Sequence, residues 1–275
     1  MPRARTLLVD GLLRVSTLLN RGAGLFTALA IGACDEEELH TRTTSYWDDL
    51  EELQTEEHTG AGLMQWERNF YERFLPPAGT IGLIGCGTGR DLFPLAERGH
   101  TIDGVDGSPR CIERARETLE EKGLKAGLYC ADITSFQFPR ERYDAIIFSW
   151  FLYCYLPGVS RRAEILASLR KKLKDGGRII LSLPKSALIS RTPSQRVSHW
   201  MARLTRSSAP PSELDYYLVR NRGGGMLMWM REYDREQMEE EAANAGLQLF
   251  HWQVYEADDE PIGVVLVPVE DPGGS

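Results

Sequence analysis

Three alternating glycines, Gly85, Gly87 and Gly89, follow the apolar run Thr80-Ile81-Gly82-Leu83-Ile84 and precede Arg90-Asp91-Leu92. Glycine at such places lets the backbone come close to a ligand, and a helix that follows aims its first N–H groups at whatever polar group lies above. Further on, Thr101-Ile102-Asp103-Gly104-Val105 leads into Asp106 and Gly107, an acid placed to take both hydroxyls of a ribose. Together the two stretches describe a site for a nucleotide-type cofactor, whereas a lone Gly-x-Gly-x-Gly is as readily a plain tight turn. The dinucleotide fingerprint Gly-x-Gly-x-x-Gly needs its last glycine at position 90, where Arg90 stands, so NAD is disfavoured.

These residues resemble the motifs of the class I S-adenosylmethionine-dependent methyltransferases. Gly85-Cys86-Gly87-Thr88-Gly89 matches their first motif and Gly104-Val105-Asp106-Gly107-Ser108-Pro109 their second-strand signature, and the likeness runs from about Ile81 to Pro184. The resemblance implies S-adenosyl-L-methionine as cofactor, held by Gly85, Cys86, Gly87, Gly89, Asp106 and Gly107. It also implies that Asp132, in Cys130-Ala131-Asp132-Ile133, accepts from the adenine amino group while Ile133 packs on the ring. It says nothing of the methyl acceptor. The family usually carries an acid two residues before the first glycine, and this chain has Leu83. Segments before the first strand cross the pocket as a lid in related enzymes, which would bring Tyr46 and Trp47 to the ligand. Buried aromatic anchors is the equally weighted alternative for that pair.

With 275 residues, 42% of them apolar, the chain can bury one α/β core and carry further elements. The net charge of -8 opposes the phosphate-neutralising surface that nucleic acid requires. Cys34, Cys86, Cys111, Cys130 and Cys154 show neither Cys-x-x-Cys spacing nor a nearby histidine cluster, so no disulfide framework and no metal site is expected. A cytoplasmic, soluble protein without a membrane-spanning segment fits these features.

To position the motifs, strands are expected at Thr80–Ile84, Ile102–Val105, Ala126–Cys130 and from Tyr143, alternating with helices at Asp91–Arg98 and Pro109–Lys122. Pro109 suits a first helical turn and Gly123 a helical stop. Arg161–Leu173 reads as a helix, Lys174-Asp175-Gly176-Gly177 as a turn and Arg178–Leu183 as the fifth strand. Asp234–Ala245 is a helix, with Leu247–Tyr255 and Ile262–Val269 an antiparallel hairpin at the sheet edge. The expected fold is a doubly wound, seven-stranded, mainly parallel sheet with that C-terminal hairpin, N-terminal helices, and a helical insert after the fifth strand. The expected division is an N-terminal helical extension over 1–78 and a methyltransferase-like domain over 79–275. Leu8, Leu12, Val15 and Leu19 recur at helical spacing, and their apolar face would pack on the domain, on a second copy in a homodimer, or on a membrane surface.

The segment from Lys185 to Arg231 reverses the local charge, with eight basic residues against Glu213 and Asp215, and aromatic residues interleaved. A segment leaving the fifth strand starts beside the ligand crevice, so Arg220, Arg222 and Trp229 are expected to cap an anionic or aromatic small-molecule acceptor with Trp150. A solvated basic helix over residues 194–206 is the alternative. Methyl transfer needs mainly alignment, so a base is optional; His199, Tyr153 and Tyr155 are the candidates, while Ser149 and Trp150 end the fourth strand at the crevice. Methyl transfer to oxygen or nitrogen is the first functional expectation. A non-methylating cyclisation or rearrangement, or a degenerate cofactor-binding interaction domain, are the alternatives.

Overall fold

The computed structural model describes residues 25–49, 60–184, 195–209, 215–220, 226–256 and 261–269. The repeat of Leu8, Leu12, Val15 and Leu19 and the position of Arg222 lie outside them. A helix over 25–33 (α1) and Glu36–Asp48 (α2) come first, then Gln65–Phe74 (α3). The core alternates Thr80–Ile84 (β1), Leu92–Glu97 (α4), Thr101–Asp106 (β2), Pro109–Lys122 (α5), Gly127–Cys130 (β3) and Tyr143–Phe148 (β4). A 3-10 turn, Leu152–Tyr155, leads to Val159–Arg170 (α6) and Leu173–Leu183 (β5). After Gln195–Thr205 (α7), Asp215–Arg220 (β6) and Met226–Arg231 (β7), the chain ends in Arg235–Asn244 (α8), Leu247–Val254 (β8) and Ile262–Pro268 (β9).

Seven strands form one sheet in the order β3-β2-β1-β4-β5-β9-β8, with β9 antiparallel to both of its neighbours and the first five parallel. The doubly wound reading and the C-terminal hairpin hold. Local chemistry explains the best-defined helices. In α5, Ser108 Oγ accepts from the Cys111 amide at 3.2 Å, Pro109 occupies the first turn and Gly123 stops the helix at φ +64. Asp234 and Gln237 form a reciprocal cap at the start of α8.

One face of the sheet buries Phe70, Tyr71 and Phe74 of α3 with Leu83, Leu92, Leu95, Ile102 and Ile112. The other buries α6 and α8 through Ile165, Leu166, Leu169, Met238 and Ala242. Leu83, at the place where the resemblance would put an acid, is wholly buried in the first of these layers.

Two boundaries differ from expectation. α6 stops at Arg170 and β5 begins at Leu173, because Leu173 is buried and pairs with Tyr143; the Lys174–Gly177 stretch is absorbed as an irregularity in register. The insert is not wholly helical. α7 is present, but β6 and β7 form a separate two-stranded sheet, in which Leu227, Met228, Trp229 and Met230 are all buried. Aromatic and β-branched residues in Tyr216–Val219, facing Met226–Met230 across a glycine-rich stretch, are the hairpin signal. No helix among the described residues is long and apolar enough to cross a membrane.

Candidate functional site

The carboxyl ends of β1 to β4 open into a cavity of about 320 Å³. β1 delivers the glycine loop. Gly85 and Cys86 donate to the Val105 carbonyl at 2.8 and 3.2 Å, which ties the loop to β2. Gly87 has φ +51 and no heavy atom within 4 Å of where a Cβ would stand, so the loop is open towards the cavity. Its amide donates to Asp106 Oδ2 at 2.9 Å, and the Ser108 amide donates to Oδ1 at the same distance. Burial raises the Asp106 carboxyl above its ordinary range and the two amides offset part of that rise. Gly89 is placed differently: at φ +103, a Cβ would meet the Phe93 ring at 2.3 Å, so it serves the packing of α4 on the loop.

Beyond β2, the turn after β3 brings Asp132 and Ile133 to the cavity wall. His40 of α2 lies 2.6 Å from Asp132 Oδ2, and the Thr134 amide donates to Oδ1 at 2.8 Å. Burial works to raise this carboxyl, but the His40 and Thr134 hydrogen bonds outweigh it and hold Asp132 well below the usual carboxylate range. Each Asp132 oxygen thus has one polar partner and keeps lone-pair capacity for a further donor.

On the other side, β4 ends at Ser149, Trp150 and Phe151, the last two in the left-handed region at φ 35 and 59. Non-glycine residues there are strained by roughly 1–3 kcal/mol each. The turn directs Trp150 over the Arg90 guanidinium, whose carbon is 5.2 Å from the ring centroid. Arg90 pairs through both terminal nitrogens with Glu67 of α3, at 2.7 and 2.8 Å. Ser149 Oγ donates to Asp91 at 2.6 Å.

α2 covers the cavity with His40, Thr43, Thr44, Trp47 and Asp48. It is held to the sheet by His40–Asp132 and by a short contact of Asp48 with Ser108 Oγ, and to the insert by the Trp229 amide donating to Thr43 Oγ1 at 3.1 Å. Trp47 meets Tyr155 edge-on, with centroids 5.1 Å apart.

Of the expected site residues, Gly85, Cys86, Gly87, Asp106, Gly107, Asp132, Ile133, Ser149, Trp150 and Tyr155 line the cavity together. Others stand elsewhere. Tyr46 is buried behind Trp47, and Gly89 lies under the loop. Tyr153 is a core strut: its hydroxyl donates to Glu241 at 2.6 Å, and burial, then Glu241, pushes its pKa well above the ordinary value, so it cannot serve as a base at the cavity. His199 sits half-buried on α7 and not among the lining residues. Trp229 is buried in the layer with Ile31, Cys34 and Leu39, under α2, where it cannot cap an acceptor. Arg220 ends β6, with no described side chain, and Arg222 lies outside the described residues. Among the lining residues that sequence reasoning did not assign are His40, Thr43, Thr44, Asp48, Arg90, Cys111, Leu152 and Leu156. His40 and Asp132 are 92 positions apart, so no local signal joined them.

A family model for a methyltransferase domain matches residues 83–177. Aklanonic acid methyltransferase of Streptomyces sp. (strain C5) is 34% identical over 37% of this chain and 46% of its own length. The 2-heptyl-1-hydroxyquinolin-4(1H)-one methyltransferase of Mycobacteroides abscessus is 33% identical over 40% and 48%. The chain thus spans about half the length of these curated relatives. A solved SAM-dependent methyltransferase from Methanosarcina mazei superposes with a TM-score of 0.58 at 16% identity, covering 76% of this chain and 100% of that one, which establishes a shared fold.

Proposed function

We propose, since a family model for a methyltransferase domain matches residues 83–177, that the chain moves the methyl group of S-adenosyl-L-methionine to an oxygen or nitrogen of a small aromatic molecule. The observation that carries this reading is one cavity in which the glycine loop, Asp106 and an aromatic wall of Trp47, Trp150 and Tyr155 meet. The residues present suit the cofactor. Gly87 leaves open space above the loop, and Asp106 keeps its carboxylate fixed by two amides with lone pairs left for hydroxyl donors. Ala131 and Ile133 offer apolar surface at the β3 end, where His40 holds Asp132 in place. When bound, the cofactor supplies an electrophilic methyl carbon that is transferred by in-line displacement.

The remaining task of the protein is alignment. Trp150, Leu152 and Tyr155 form the wall next to Ser149, and Trp47 approaches from the lid, so a flat apolar ring can be held among them. Among the described residues the cavity offers an anionic acceptor little. Arg90 is the lining residue with a fixed positive charge, and it is already neutralised by Glu67 and Asp91. None of the described residues of the insert lines the cavity. Of the two curated relatives described above, one is named for a hydroxyquinolinone, which agrees with the aromatic choice, and the other for an acid. The chain before residue 79 acts in this reading as a lid, since α2 supplies five lining residues.

The test is a panel of phenolic and heteroaromatic hydroxyl or amine acceptors, with S-adenosylhomocysteine release as the signal. An accepted aromatic substrate is expected to lose affinity, through a KM raised roughly ten-fold, when Trp150 is changed to Ala, with cofactor affinity unchanged within a factor of about two. Turnover confined to aliphatic or wholly anionic acceptors would overturn the reading.

A further inference from the structure

The strands that end at the cavity stand side by side in the order β3, β2, β1, β4, and neighbouring strands are about 4.8 Å apart. A ligand whose nucleoside lies over Asp132 and Asp106 must therefore carry its far end past the glycine loop to the tip of β4, where Ser149 and Arg90 line the cavity. Behind that tip lies a buried charge cluster. Glu67 is 1% exposed, Arg90 9% and Asp91 1%. With both carboxylates ionised the cluster carries a surplus negative charge, and burial, then Asp91, push the Glu67 carboxyl above its ordinary range.

Arg90 cannot relieve that surplus. Its Nη1 donates to Glu67 Oε2 and to the Gly62 carbonyl, and its Nη2 to Glu67 Oε1. Asp91 Oδ1 lies 2.5 Å from Nη2, close enough for charge contact, yet it accepts no hydrogen bond of proper direction and is buried. The other Asp91 oxygen takes the Ser149 hydroxyl proton at 2.6 Å. That bond fixes the direction of Ser149 Oγ: its proton points to Asp91, and its lone pairs are left to accept. The one cation beside Asp91 is the guanidinium it shares with Glu67, and an Asp91 oxygen that is buried without a directed hydrogen bond is only partly compensated by it. Leu83 meanwhile leaves the strand below without the acid that could have supplied such a charge.

Resting on the methyltransferase reading above, we propose that Asp91, acting through Ser149, is the anionic counterpart of the cofactor's α-ammonium group and takes the place of the acid absent at Leu83. Ser149 accepts the ammonium hydrogen bond. Asp91 polarises that hydroxyl and supplies the charge, and Arg90, clamped by Glu67, holds Asp91 in place. Asp91 is then a positioning residue that sets affinity for the amino-acid end of the cofactor.

Calorimetry separates this from a structural role. S-adenosylhomocysteine carries the ammonium, and 5′-methylthioadenosine has the same nucleoside and thioether without it. Asp91→Asn is expected to weaken S-adenosylhomocysteine binding roughly 10- to 100-fold, the range of a charge-assisted hydrogen bond, and to leave 5′-methylthioadenosine within about two-fold. Should Asp91→Asn not fold, Ser149→Ala carries the test, with a loss of roughly 3- to 10-fold for the first ligand alone. Equal losses for both ligands, or no loss for either, overturn the proposal while leaving the methyltransferase reading intact. If the unaltered protein binds neither ligand, the methyltransferase reading falls and this inference falls with it.

Discussion

The His40–Asp132 pair shows how one residue's protonation is set by another helix. The folded Asp132 carboxyl is depressed below its ordinary value of about 3.9, so the pair's contribution to stability is full above that pH and is lost as pH falls below it towards the folded value. Asp132 is partly exposed, so solvent screens the effect and its size is modest. In urea unfolding, the stability gap between the natural protein and Asp132→Asn is expected to be present at pH 5 and to shrink as the solution is taken through pH 4. A gap that widens on acidification would contradict the assignment. At this scale the sequence was legible where a motif occupies consecutive residues: Gly85 to Gly87 and Asp106 to Gly107 line one cavity. It was opaque where a side chain's task depends on a distant partner. Tyr153 looked like a cavity residue because it follows β4, yet the chain turns at Trp150 and Phe151 and sends its hydroxyl to Glu241.

That contact belongs to the joint between α6, α8 and the 3-10 turn. Arg162 grips Glu241 at 2.6 and 3.0 Å and the Leu156 carbonyl at 2.8 Å, while the hydroxyls of Tyr153 and Tyr233 also donate to Glu241. Arg162 is 1% exposed, so removing its partner would strand a buried cation. Glu241→Ala is expected to destabilise the protein by about 3–5 kcal/mol in chemical unfolding, without altering cofactor affinity in the molecules that remain folded. A cost below about 1 kcal/mol would mean that the joint relaxes freely. Helix periodicity revealed α6 and α8 from sequence; the ion pair between them did not show, because Arg162 and Glu241 each look like ordinary surface residues of an amphipathic helix. The insert was half legible for a related reason. Its basic character is real, but charge counts do not say which way a hairpin packs: Leu227 and Trp229 turn inward beneath α2, and Met230 joins the core under α6 and α8.

For the molecule as a whole, the expected division near residue 78 does not coincide with a break in the packing. α3 lies before that point, yet Phe70, Tyr71 and Phe74 fill one face of the sheet, with Phe70 against Gly263 of β9. A chain started at residue 79 is therefore expected to lose cooperative unfolding and to expose apolar surface to dye, whereas one started at residue 60 keeps the layer. A sharp, natural-like transition in the shorter chain would show that α3 is dispensable. The parallel half of the sheet was readable because each strand and helix is announced locally by apolar runs and caps. The lateral order at its other end was less so, since pairing between β5 and β9 joins residues far apart in the chain.

That order has a consequence for how the chain is made. β9 sits between β5 and β8, so the β5 edge has no partner on that side until residues 262–268 have been synthesised. The five parallel strands can pair on the nascent chain, but β8 and the β5 edge both wait for this later strand. A stalled or shortened product therefore presents Ile179 to Leu183 as an open, apolar edge. Translation speed between residues 183 and 268 sets how long that edge is exposed to strand pairing with other chains.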